Sequence, residues 1–511
     1  MINNKTFNNL ITLDIINSWK QGKGIILNGG TGTGKTYFIT HNLGLKCITE
    51  GKKILYLCNR TALFNKVFKE VKTNYLQDNI DVRTYQWLEA MINNNKDIKE
   101  YDYIVADECH YVMTDSWNDF TDISYKYLIS QSYSIVIFMS ATAKDVFSQI
   151  KKAEIVDNDN IYTINKDYSY INKIELMYKP NAKDTIIETT IENLLKETDD
   201  KIIFFCKSLK DGYELYNKFK DNTYLYCSQN KKNEKYLKVA TLDCIKEDKE
   251  NNIITFDKRL LITTSALDNG IDIIDRSVKH IITDIWDFDI MVQCLGRKRP
   301  IDDADWCNFY IRNYSNKQLG NIKGGLGTIL NPAILFKENI DKFKEMYLKN
   351  DRQFNNTLLY NDAKSTELKL NLVKFNKMKI DYNTLDTWIE KNYKYYLICL
   401  FDVKENDIEV VDTKMINELS QSEILVKYLD SIVDEKLFKE QQEELSNLII
   451  KELICISSNI DYRTKVLKPS TIESILRIQL ELPYVVSASK KETKGDNRGK
   501  RYIIINRIEN K

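Results

Sequence analysis

The stretch GIILNGGTGTGKT, from Gly24 to Thr36, decides the fold of this chain. Its first part, Gly24–Asn28, is an apolar run typical of a buried strand, and a helix-length segment follows its end. Its second part, Gly29–Thr36, matches the pattern G-x-x-x-x-G-K-[ST]. Glycines let the backbone wrap closely enough for N–H groups to face phosphate oxygens, and the following helix adds a favourable dipole. The sequence therefore predicts a phosphate-binding loop in a parallel α/β sheet.

Nucleotide binding is predicted for the whole loop, whose residues are Gly29, Gly30, Thr31, Gly32, Thr33, Gly34, Lys35 and Thr36. Lys35 is expected to reach the β- and γ-phosphates of ATP, and the Thr36 hydroxyl to ligate Mg²⁺. The alternative is a glycine-rich turn between strand and helix that contains a lysine by chance. The strand before the loop and the helix after it favour the phosphate-binding interpretation.

Short apolar runs alternate with helix-length segments through the first 300 residues, which predicts two α/β units in tandem. The predicted strands are Gly24–Asn28, Lys53–Cys58, Tyr103–Ala106 and Ser134–Met139, and then Lys201–Cys206, Thr223–Cys227, Arg259–Thr264 and Lys279–Asp284. A glycine-rich stretch, Gly320, Gly324, Gly325 and Gly327, indicates a boundary. A mainly helical region follows to about Ile460, including Ala333–Leu348 and Asp434–Leu453. The predicted domains are 1–167, 168–315, 316–460 and 461–511.

The C-terminal segment is basic, although the chain of 511 residues has a net charge of only +1. From Arg463 to Lys511 there are twelve Lys or Arg and five Asp or Glu, a net charge of about +7. Pro469-Ser-Thr indicates a helix start, and Tyr484–Ser487 and Arg501–Ile505 flank the basic turn Lys490–Lys500. This arrangement resembles a winged-helix DNA-binding domain. A small α+β cap with a solvated hairpin fits the pattern equally well.

Cysteine usage and hydropathy bear on the cellular compartment. The ten cysteines contain no CxxC pair and the three histidines are scattered, so neither a zinc site nor a disulfide framework is expected. The chain has no apolar run of membrane-spanning length. We therefore expect a cytoplasmic protein without a membrane partner.

A second motif, Asp107-Glu-Cys-His110, follows the predicted strand Tyr103–Ala106. The carboxyl ends of parallel strands meet at one edge of a sheet, so Asp107 and Glu108 are expected near the phosphate loop. Asp107 is then a candidate Mg²⁺ ligand, and Glu108 is a candidate for polarising an attacking water. Taken alone, the motif fits a solvated strand end as well.

With these motifs, the chain resembles the superfamily 2 helicases of the DEAD/DEAH group, in a DECH form, over roughly residues 20–310. The resemblance implies two RecA-like domains, ATP hydrolysis and nucleic-acid binding. It assigns coupling of hydrolysis to the second domain to His110, Ser140 and Thr142, the last two in the motif Ser140-Ala-Thr142. It assigns contacts with the nucleic-acid strand to Arg60 and Thr84, each of which also fits an ordinary surface residue.

The resemblance extends to the second unit. There Ser208, Thr263 and Thr264 are assigned to nucleic acid, and Gly270 and Asp272 to the nucleotide side. The segment Gln293-Cys-Leu-Gly-Arg297-Lys-Arg299 is similar to the motif that reaches the γ-phosphate across the domain cleft, so Gln293, Arg297 and Arg299 are catalytic candidates. Arg299 stands one residue earlier than the family pattern places its second arginine, which leaves open which arginine acts. The family's Gln-containing adenine-recognition motif is not found ahead of the phosphate loop.

The sequence thus predicts an ATP- and Mg²⁺-dependent helicase or translocase that acts on nucleic acid. DNA is favoured over RNA because of the DEAH-like form and the winged-helix-like tail, and replication or recombination proteins are expected partners. The AT-rich coding signature of the composition fits a phage or mobile element. Two alternatives stay open: a nucleic-acid-binding ATPase switch that does not unwind, and a small-molecule phosphotransferase, which would leave Arg297 and Ser140–Thr142 unexplained.

Overall fold

The computed structural model describes residues 6–30, 32–115, 118–141, 144–165, 167–178, 185–227, 233–248, 253–264, 272–349, 357–361, 367–404, 406–413, 424–456, 466–480 and 482–508. Three predicted site residues, Thr31, Thr142 and Gly270, lie outside these ranges.

Six of the described strands form the first sheet, and all of their pairings are parallel. In chain order they are β1 Gly24–Gly29, β2 Ile54–Cys58, β3 Ile80–Thr84, β4 Tyr103–Ala106, β5 Ile135–Ser140 and β6 Ile161–Ile164. Across the sheet the order is β3-β2-β4-β5-β1-β6. The strands β4, β5 and β1 are therefore neighbours, which brings the acidic motif, Ser140 and the phosphate loop to one edge.

The predictions for β1, β2, β4 and β5 agree with the structure to within one residue at each end. Strands β3 and β6 were missed because they lie at the two edges of the sheet and are less buried than the inner strands. Their runs IDVRT and IYTI therefore mix apolar and polar residues. A search for continuous apolar runs does not detect such strands.

Alternate residues of the inner strands enter separate hydrophobic cores. Ile25 and Leu27 of β1 pack in one core with the helices that follow β1 and β2, whereas Ile26 packs in the other with Val146 and Phe147. Both sheet faces are thus covered, which explains why these strands are continuously apolar.

The second sheet contains seven described strands in the order β17-β7-β14-β13-β8-β12-β9. The strands after β6 are β7 Ile171–Met177, β8 Lys201–Phe205, β9 Thr223–Tyr226, β10 Lys246–Asp248, β11 Ile253–Thr255, β12 Leu260–Thr263, β13 Val278–Thr283, β14 Cys307–Arg312, β15 Leu359–Asn361, β16 Leu368–Leu370 and β17 Glu409–Asp412. The pairs from β14 to β9 are parallel. Two RecA-like domains in tandem are therefore confirmed, and β8, β9, β12 and β13 were predicted to within one residue.

The helices of this part of the chain surround the two sheets. They are Phe7–Leu10, Leu13–Ser18, a continuous helix built of Lys35–Tyr37, Phe38–Leu43 and Gly44–Glu50, then Thr61–Thr73, Tyr85–Asn93, Tyr111–Thr114, Thr121–Ile129, Lys144–Lys152, Ile186–Glu197, Leu209–Lys218, Glu234–Leu237, Phe288–Leu295, Asn316–Glu338, Ile340–Phe343, Lys344–Lys349, Leu372–Lys391 and Tyr393–Phe401, with 3-10 turns at Asn158–Asn160 and Lys220–Asn222. A helical region thus follows the second sheet, as predicted.

The glycine-rich stretch is helical, and the domain boundary inferred from it stays a prediction. All four glycines lie inside helix Asn316–Glu338. Ser315 and Gln318 start this helix with a reciprocal capping box. The helix also packs along helix Leu372–Lys391, where Gly327 lies beside Tyr382. Capping and packing offset the cost of about 0.5–1 kcal/mol that each helical glycine carries.

The C-terminal elements form a four-stranded sheet with helices on it. Residues 424–431 are helical, and then come β18 Lys436–Leu437, helix Lys439–Ile456, helix Pro469–Ser474 continued by Ile475–Gln479, β19 Tyr484–Val486, β20 Lys490–Lys491 and β21 Arg501–Arg507. The strand β21 pairs antiparallel with β18, β19 and β20. The described elements thus run in the order helix, strand, two helices and a hairpin, and their core includes Leu429, Ile449, Ile472 and Ile503. The resemblance to a winged helix stays a prediction.

The chain divides into two compact units. Met1–Ile174 and Glu188–Val410 form the first, and Glu175–Ile187 and Val411–Lys511 form the second. This division differs from the predicted four domains, whose boundaries stay predictions. None of the helices in the described part of the chain has both the length and the apolar composition needed to cross a bilayer.

Candidate nucleotide-hydrolysis site

The phosphate loop joins β1 to the helix that starts at Lys35. Gly34 has a φ of 78°, in the left-handed region that favours glycine. At Gly29 a Cβ would lie 2.7 Å from a ring carbon of Phe7, so a side chain does not fit there. The Phe7 N–H also donates to the Thr33 carbonyl at 3.1 Å, and the Thr33 hydroxyl donates to the Gly30 carbonyl at 2.8 Å. Residues ahead of β1 thus help to shape the loop.

Lys35 lies folded over the loop. Its Nζ donates to the carbonyls of Gly29 at 2.8 Å and Gly30 at 3.0 Å, and the side chain is buried. Burial lowers the pKa of Lys35, although the charges of Glu108 and Asp107 oppose that effect. The two carboxylates thus favour the charged ammonium, and an ammonium within a glycine loop is well suited to bind phosphate oxygens.

Thr36 and Asp107, the two predicted metal ligands, are connected through Tyr56 of β2. The Thr36 hydroxyl hydrogen-bonds with the Tyr56 hydroxyl, which donates to Asp107 Oδ2 at 2.6 Å. All three oxygen atoms therefore lie within one hydrogen-bonded group. Sequence reasoning missed Tyr56, and the only signal for it was a polar phenol within the buried run ILYLC.

Asp107 is held by further hydrogen bonds at the end of β4. Its Oδ1 accepts from the Glu108 N–H at 2.9 Å, and Tyr85 donates to its backbone carbonyl at 2.9 Å. Burial, followed by the neighbouring charge of Glu108, raises the pKa of Asp107. A nearby cation would stabilise the ionised form of this carboxylate, as expected of a metal ligand.

Glu108 has a backbone φ of 47°, which is uncommon for a residue with a side chain. Its Oε2 lies 3.2 Å from His110 Nδ1 and accepts from the Ser140 hydroxyl at 3.3 Å. Burial opposes its ionisation, but the hydrogen bond and charge of His110, with the charge of Lys35, outweigh it and lower the pKa of Glu108. The carboxylate is thus ionised at neutral pH and able to accept a hydrogen bond from water.

His110 connects the acidic motif with both domains. Its Nδ1 lies 2.9 Å from Ser140 Oγ at the end of β5, and its Nε2 lies 3.4 Å from Gln293 Nε2. Gln293 belongs to helix Phe288–Leu295 of the second domain and is buried. The predicted residues Glu108, His110, Ser140 and Gln293 therefore form one continuous group across the domain cleft.

The two arginines of the second domain are both close to Asp272. Arg299 Nη2 lies 2.9 Å from Asp272 Oδ1, and Arg297 Nη1 lies 3.6 Å from the same oxygen. A Cβ added at Gly32 of the phosphate loop would lie 3.5 Å from Arg299 Nη1. The charge of Arg297, in contrast, acts on Glu108. Arg299 thus lies beside the phosphate loop, and Arg297 lies nearer to the acidic motif.

The predicted nucleic-acid residues have local partners in the first domain. Arg60 Nη1 lies 2.6 Å from Asp115 Oδ2, directly before helix Thr61–Thr73. The Thr84 hydroxyl caps helix Tyr85–Asn93 by accepting from the Trp87 N–H. These contacts position both side chains at carboxyl ends of strands, and their role towards nucleic acid stays a prediction.

The corresponding residues of the second domain lie after β8 and β12. The Ser208 hydroxyl caps helix Leu209–Lys218 and donates to Asp211 Oδ2 at 2.7 Å. Thr263 is fully buried, with its hydroxyl on the Thr264 carbonyl at 3.1 Å, whereas Thr264 is partly exposed. Thr264 is therefore better placed than Thr263 to meet a strand, and both assignments stay predictions.

The second compact unit presents a basic hairpin between β20 and β21. Six of its cations are exposed: Lys490, Lys491, Lys494, Arg498, Lys500 and Arg501. The turn is closed by hydrogen bonds from Glu492 N to Lys500 O at 2.9 Å and from Gly499 N to Glu492 O at 2.8 Å. Glu492 itself pairs with Lys436, so its charge is offset within the unit. The hairpin is thus an ordered, cationic projection.

Comparisons with known proteins gave a family match and similar solved structures. Residues 4–145 match the family described as Type III restriction enzyme, res subunit. No curated protein gives a significant match. Among solved structures, S. cerevisiae Dbp5 bound to RNA and ADP BeF3 is 15% identical with a TM-score of 0.44, covering 63% of this chain and 87% of that chain. A variant of that protein with the same ligands is 15% identical with a TM-score of 0.46, covering 62% and 86%.

The family match covers β1 to β5 of the first sheet, with the phosphate loop and the acidic motif. It confirms the predicted resemblance to superfamily 2 helicases and the prediction that the chain is an ATP-hydrolysing enzyme.

Proposed function

We propose that this chain is an ATP-dependent helicase or translocase that couples hydrolysis between its two RecA-like domains to movement along a strand of DNA. One observation carries the proposal. Gln293 of the second domain lies 3.4 Å from His110, and Arg299 lies beside the phosphate loop of the first. A hydrolysis site built by two domains ties the state of the nucleotide to the arrangement of the domains.

The proposed chemistry follows from the side chains at the cleft. Lys35 and the loop N–H groups bind the phosphates, and the Glu108 carboxylate orients the attacking water. Arg299 stabilises charge on the transferred phosphoryl group, while Arg297 holds Glu108 electrostatically. His110 and Ser140 keep Glu108 in place, and His110 connects it to Gln293 of the second domain.

The oxygen donors of Thr36 and Asp107 fit Mg²⁺, which prefers hard oxygen ligands. An ion held by these two residues would supply positive charge next to the phosphates. Tyr56 keeps the two donor residues together by hydrogen-bonding with both.

The proposal that DNA is the substrate rests on the second compact unit. Its order of elements, which resembles a winged helix, places helix 469–479 and a cationic hairpin in the same small sheet domain. Ser470, Ser474, Arg477 and Ile478 are exposed at a spacing that forms one helical face. A helix face with hydrogen-bonding groups next to a cationic hairpin suits a duplex groove and its phosphates. Replication or recombination proteins are the partners we propose for such an enzyme.

Steady-state ATP hydrolysis tests the proposal directly. It is measured for the full chain alone and with single-stranded DNA, duplex DNA and single-stranded RNA at one salt concentration. Stimulation at least several-fold by single-stranded DNA, and less by RNA, is expected. Equal rates with and without every nucleic acid would exclude a nucleic-acid motor, and stronger stimulation by RNA would reverse the choice of substrate.

A second candidate is an ATPase switch that binds nucleic acid without unwinding it. The basic hairpin favours this candidate, since it provides a binding surface that does not involve the cleft. A forked duplex with a fluorophore and quencher separates the two functions. ATP-dependent strand release supports the helicase, whereas DNA-stimulated hydrolysis without release supports the switch.

A further inference from the structure

Helix Leu372–Lys391, here named the bridging helix, contacts both RecA-like domains. At its start, Asn371 Nδ2 donates to the Asp119 carbonyl and to Thr121 Oγ1, each at 3.0 Å. Val373 is part of the core of the first domain. Near its other end, Trp388 packs on Phe288 of the second domain with ring centroids 4.3 Å apart. At ~1.5 Å per residue, the helix spans about 22 Å between Val373 and Trp388.

A buried lysine lies on the bridging helix where the two domains meet it. The Lys377 side chain is only 9% exposed. Its Nζ lies 3.2 Å from Asp145 Oδ2 of the first domain and 3.9 Å from Asp287 Oδ2 of the second, and it pairs with Asp381 one turn along the same helix. One ammonium group thus pairs with a carboxylate from each domain.

Both domain carboxylates belong to elements of the hydrolysis site. Asp145 is in helix Lys144–Lys152, five residues beyond Ser140. Asp287 caps helix Phe288–Leu295, which carries Gln293, because its Oδ1 accepts from the N–H groups of Asp289 at 2.9 Å and Ile290 at 3.1 Å. Since Oδ1 forms the cap, Oδ2 is the oxygen that faces Lys377.

The charges around Lys377 make its ammonium necessary for this packing. Three carboxylates converge on it, and burial together with the charges of Asp287 and Asp145 raises the pKa of Asp381 to about 6, even though Lys377 opposes this shift. The same carboxylates outweigh burial and raise the pKa of Lys377. Without the ammonium, like charges from the two domains would face each other in a partly buried site, which is strongly unfavourable.

We propose that Lys377 is a positioning residue that holds the two RecA-like domains in the arrangement in which Gln293 and Arg299 meet the phosphate loop. It acts through Asp287 on the helix of Gln293 and through Asp145 on the segment that follows Ser140. The helical region would then set how readily the cleft closes. This inference rests on hydrolysis across the cleft, as in the proposed function, but not on the identity of the nucleic acid.

The test compares three variants of the full chain. Lys377→Met removes the cation and keeps most of the side-chain volume. The triple variant Lys377→Met, Asp145→Asn, Asp287→Asn also removes the repulsion, and asparagine at 287 still caps the helix. The control Lys323→Met breaks another lysine–aspartate pair of the bridging helix, which joins Asp386 of that helix to Lys323 of helix Asn316–Glu338.

Two readouts distinguish positioning from a loss of fold. The first is kcat and KM for ATP. The second is the distance between fluorophores on Lys96→Cys and Glu214→Cys, one in each domain, in a Cys399→Ser background, with and without a nonhydrolysable ATP analogue. In Lys377→Met, we expect kcat to fall about tenfold with KM within about twofold, and the analogue-induced change in distance to be lost. The triple variant should recover at least half of both, and Lys323→Met should match the parent.

The inference is overturned if Lys377→Met loses activity only in proportion to its folded fraction while the distance change persists. It is equally overturned if the triple variant recovers neither readout. If Lys377→Met does not fold, Asp287→Asn alone decides the question, because asparagine keeps the helix cap. This variant is expected to lower kcat two- to fivefold and to reduce the analogue-induced change in distance. A change in distance equal to that of the parent would contradict the proposal. A chain that no nucleic acid stimulates would refute the proposed motor, yet the distance measurement would still decide the role of Lys377.

Discussion

At the scale of single residues, Glu108 is the side chain whose surroundings most clearly indicate a chemical role. Its uncommon backbone conformation persists because His110 and Ser140 both contact its carboxylate. Strained backbone of this kind is maintained only where neighbouring contacts determine it, and it concentrates at functional sites.

Glu108→Gln keeps the size of the side chain and removes its charge. We expect kcat for ATP to fall about 10²–10⁴-fold, the range typical of a lost general base, while nucleotide still binds. Binding is checked by fluorescence of a labelled ATP analogue, and turnover by phosphate release. Turnover within tenfold of the parent would remove Glu108 from the proposed role.

The two arginines of the second domain are expected to respond differently to substitution by lysine. Arg299→Lys loses a planar cation beside the phosphate loop, so kcat should fall by about 10³-fold or more, as for other arginine fingers. Arg297→Lys should cost less, because its charge on Glu108 is largely retained. Single-turnover hydrolysis by the two variants measures the difference, and the reverse order would assign the finger to Arg297.

At the scale of elements, the packing of helix Tyr85–Asn93 on helix Thr121–Ile129 contains a buried acid. The Glu89 carboxylate accepts from the Ser124 hydroxyl at 2.7 Å and also hydrogen-bonds with Asn118. Burial raises the pKa of Glu89 to about 7, and these hydrogen bonds only partly oppose it. The folded chain therefore holds this proton more tightly than the unfolded chain does.

This shift predicts a pH dependence of stability. The favourable contribution of protonated Glu89 is complete below the unfolded pKa, about 4.3, and is lost as pH rises through about 7. Glu89→Gln should therefore stabilise the fold above pH 7, by up to about 3 kcal/mol, and leave it little changed at pH 5. Thermal midpoints at pH 5 and 8.5 test this, with the exposed Glu100→Gln as control. Equal midpoint shifts for Glu89→Gln at both pH values would contradict it.

At the scale of the whole molecule, two kinds of nucleic-acid contact are proposed, one at the cleft of the first compact unit and one on the hairpin of the second. Removing positive charge is expected to have a different effect at each of these two surfaces. Cleft contacts influence hydrolysis, whereas an exposed hairpin contributes mainly phosphate binding, which depends strongly on salt.

Neutralising the hairpin with Lys491→Gln, Lys494→Gln and Arg498→Gln should weaken duplex binding and reduce the salt slope of log K by about 2–3, because each phosphate contact contributes about 0.9. The maximal ATPase rate with saturating single-stranded DNA should be retained. Fluorescence anisotropy across salt concentrations measures the slope, and the matched control neutralises the exposed lysines Lys96, Lys151 and Lys152 of the first domain. A slope equal to that of the parent would show that the hairpin does not contact the duplex.

The sequence by itself determined the features that depend on local order along the chain. The phosphate loop, Asp107, Glu108, seven inner strands and the edge strand β9 were predictable because a loop motif must lie between a strand and a helix, and because buried strands are continuously apolar. The edge strands β3 and β6 carry no such signal, and the glycines at 320–327 suggested a boundary where capping and packing produce a helix.

Only the tertiary structure decided which distant residues meet. Tyr56 reaches Thr36 and Asp107 because β2 pairs in register with β4, Arg299 reaches Gly32 because the two domains face each other, and Lys377 receives one carboxylate from each domain. These contacts join residues that are tens to hundreds of positions apart, and each depends on strand order and domain arrangement rather than on any local pattern. A single sequence records the partners of such contacts but not their proximity.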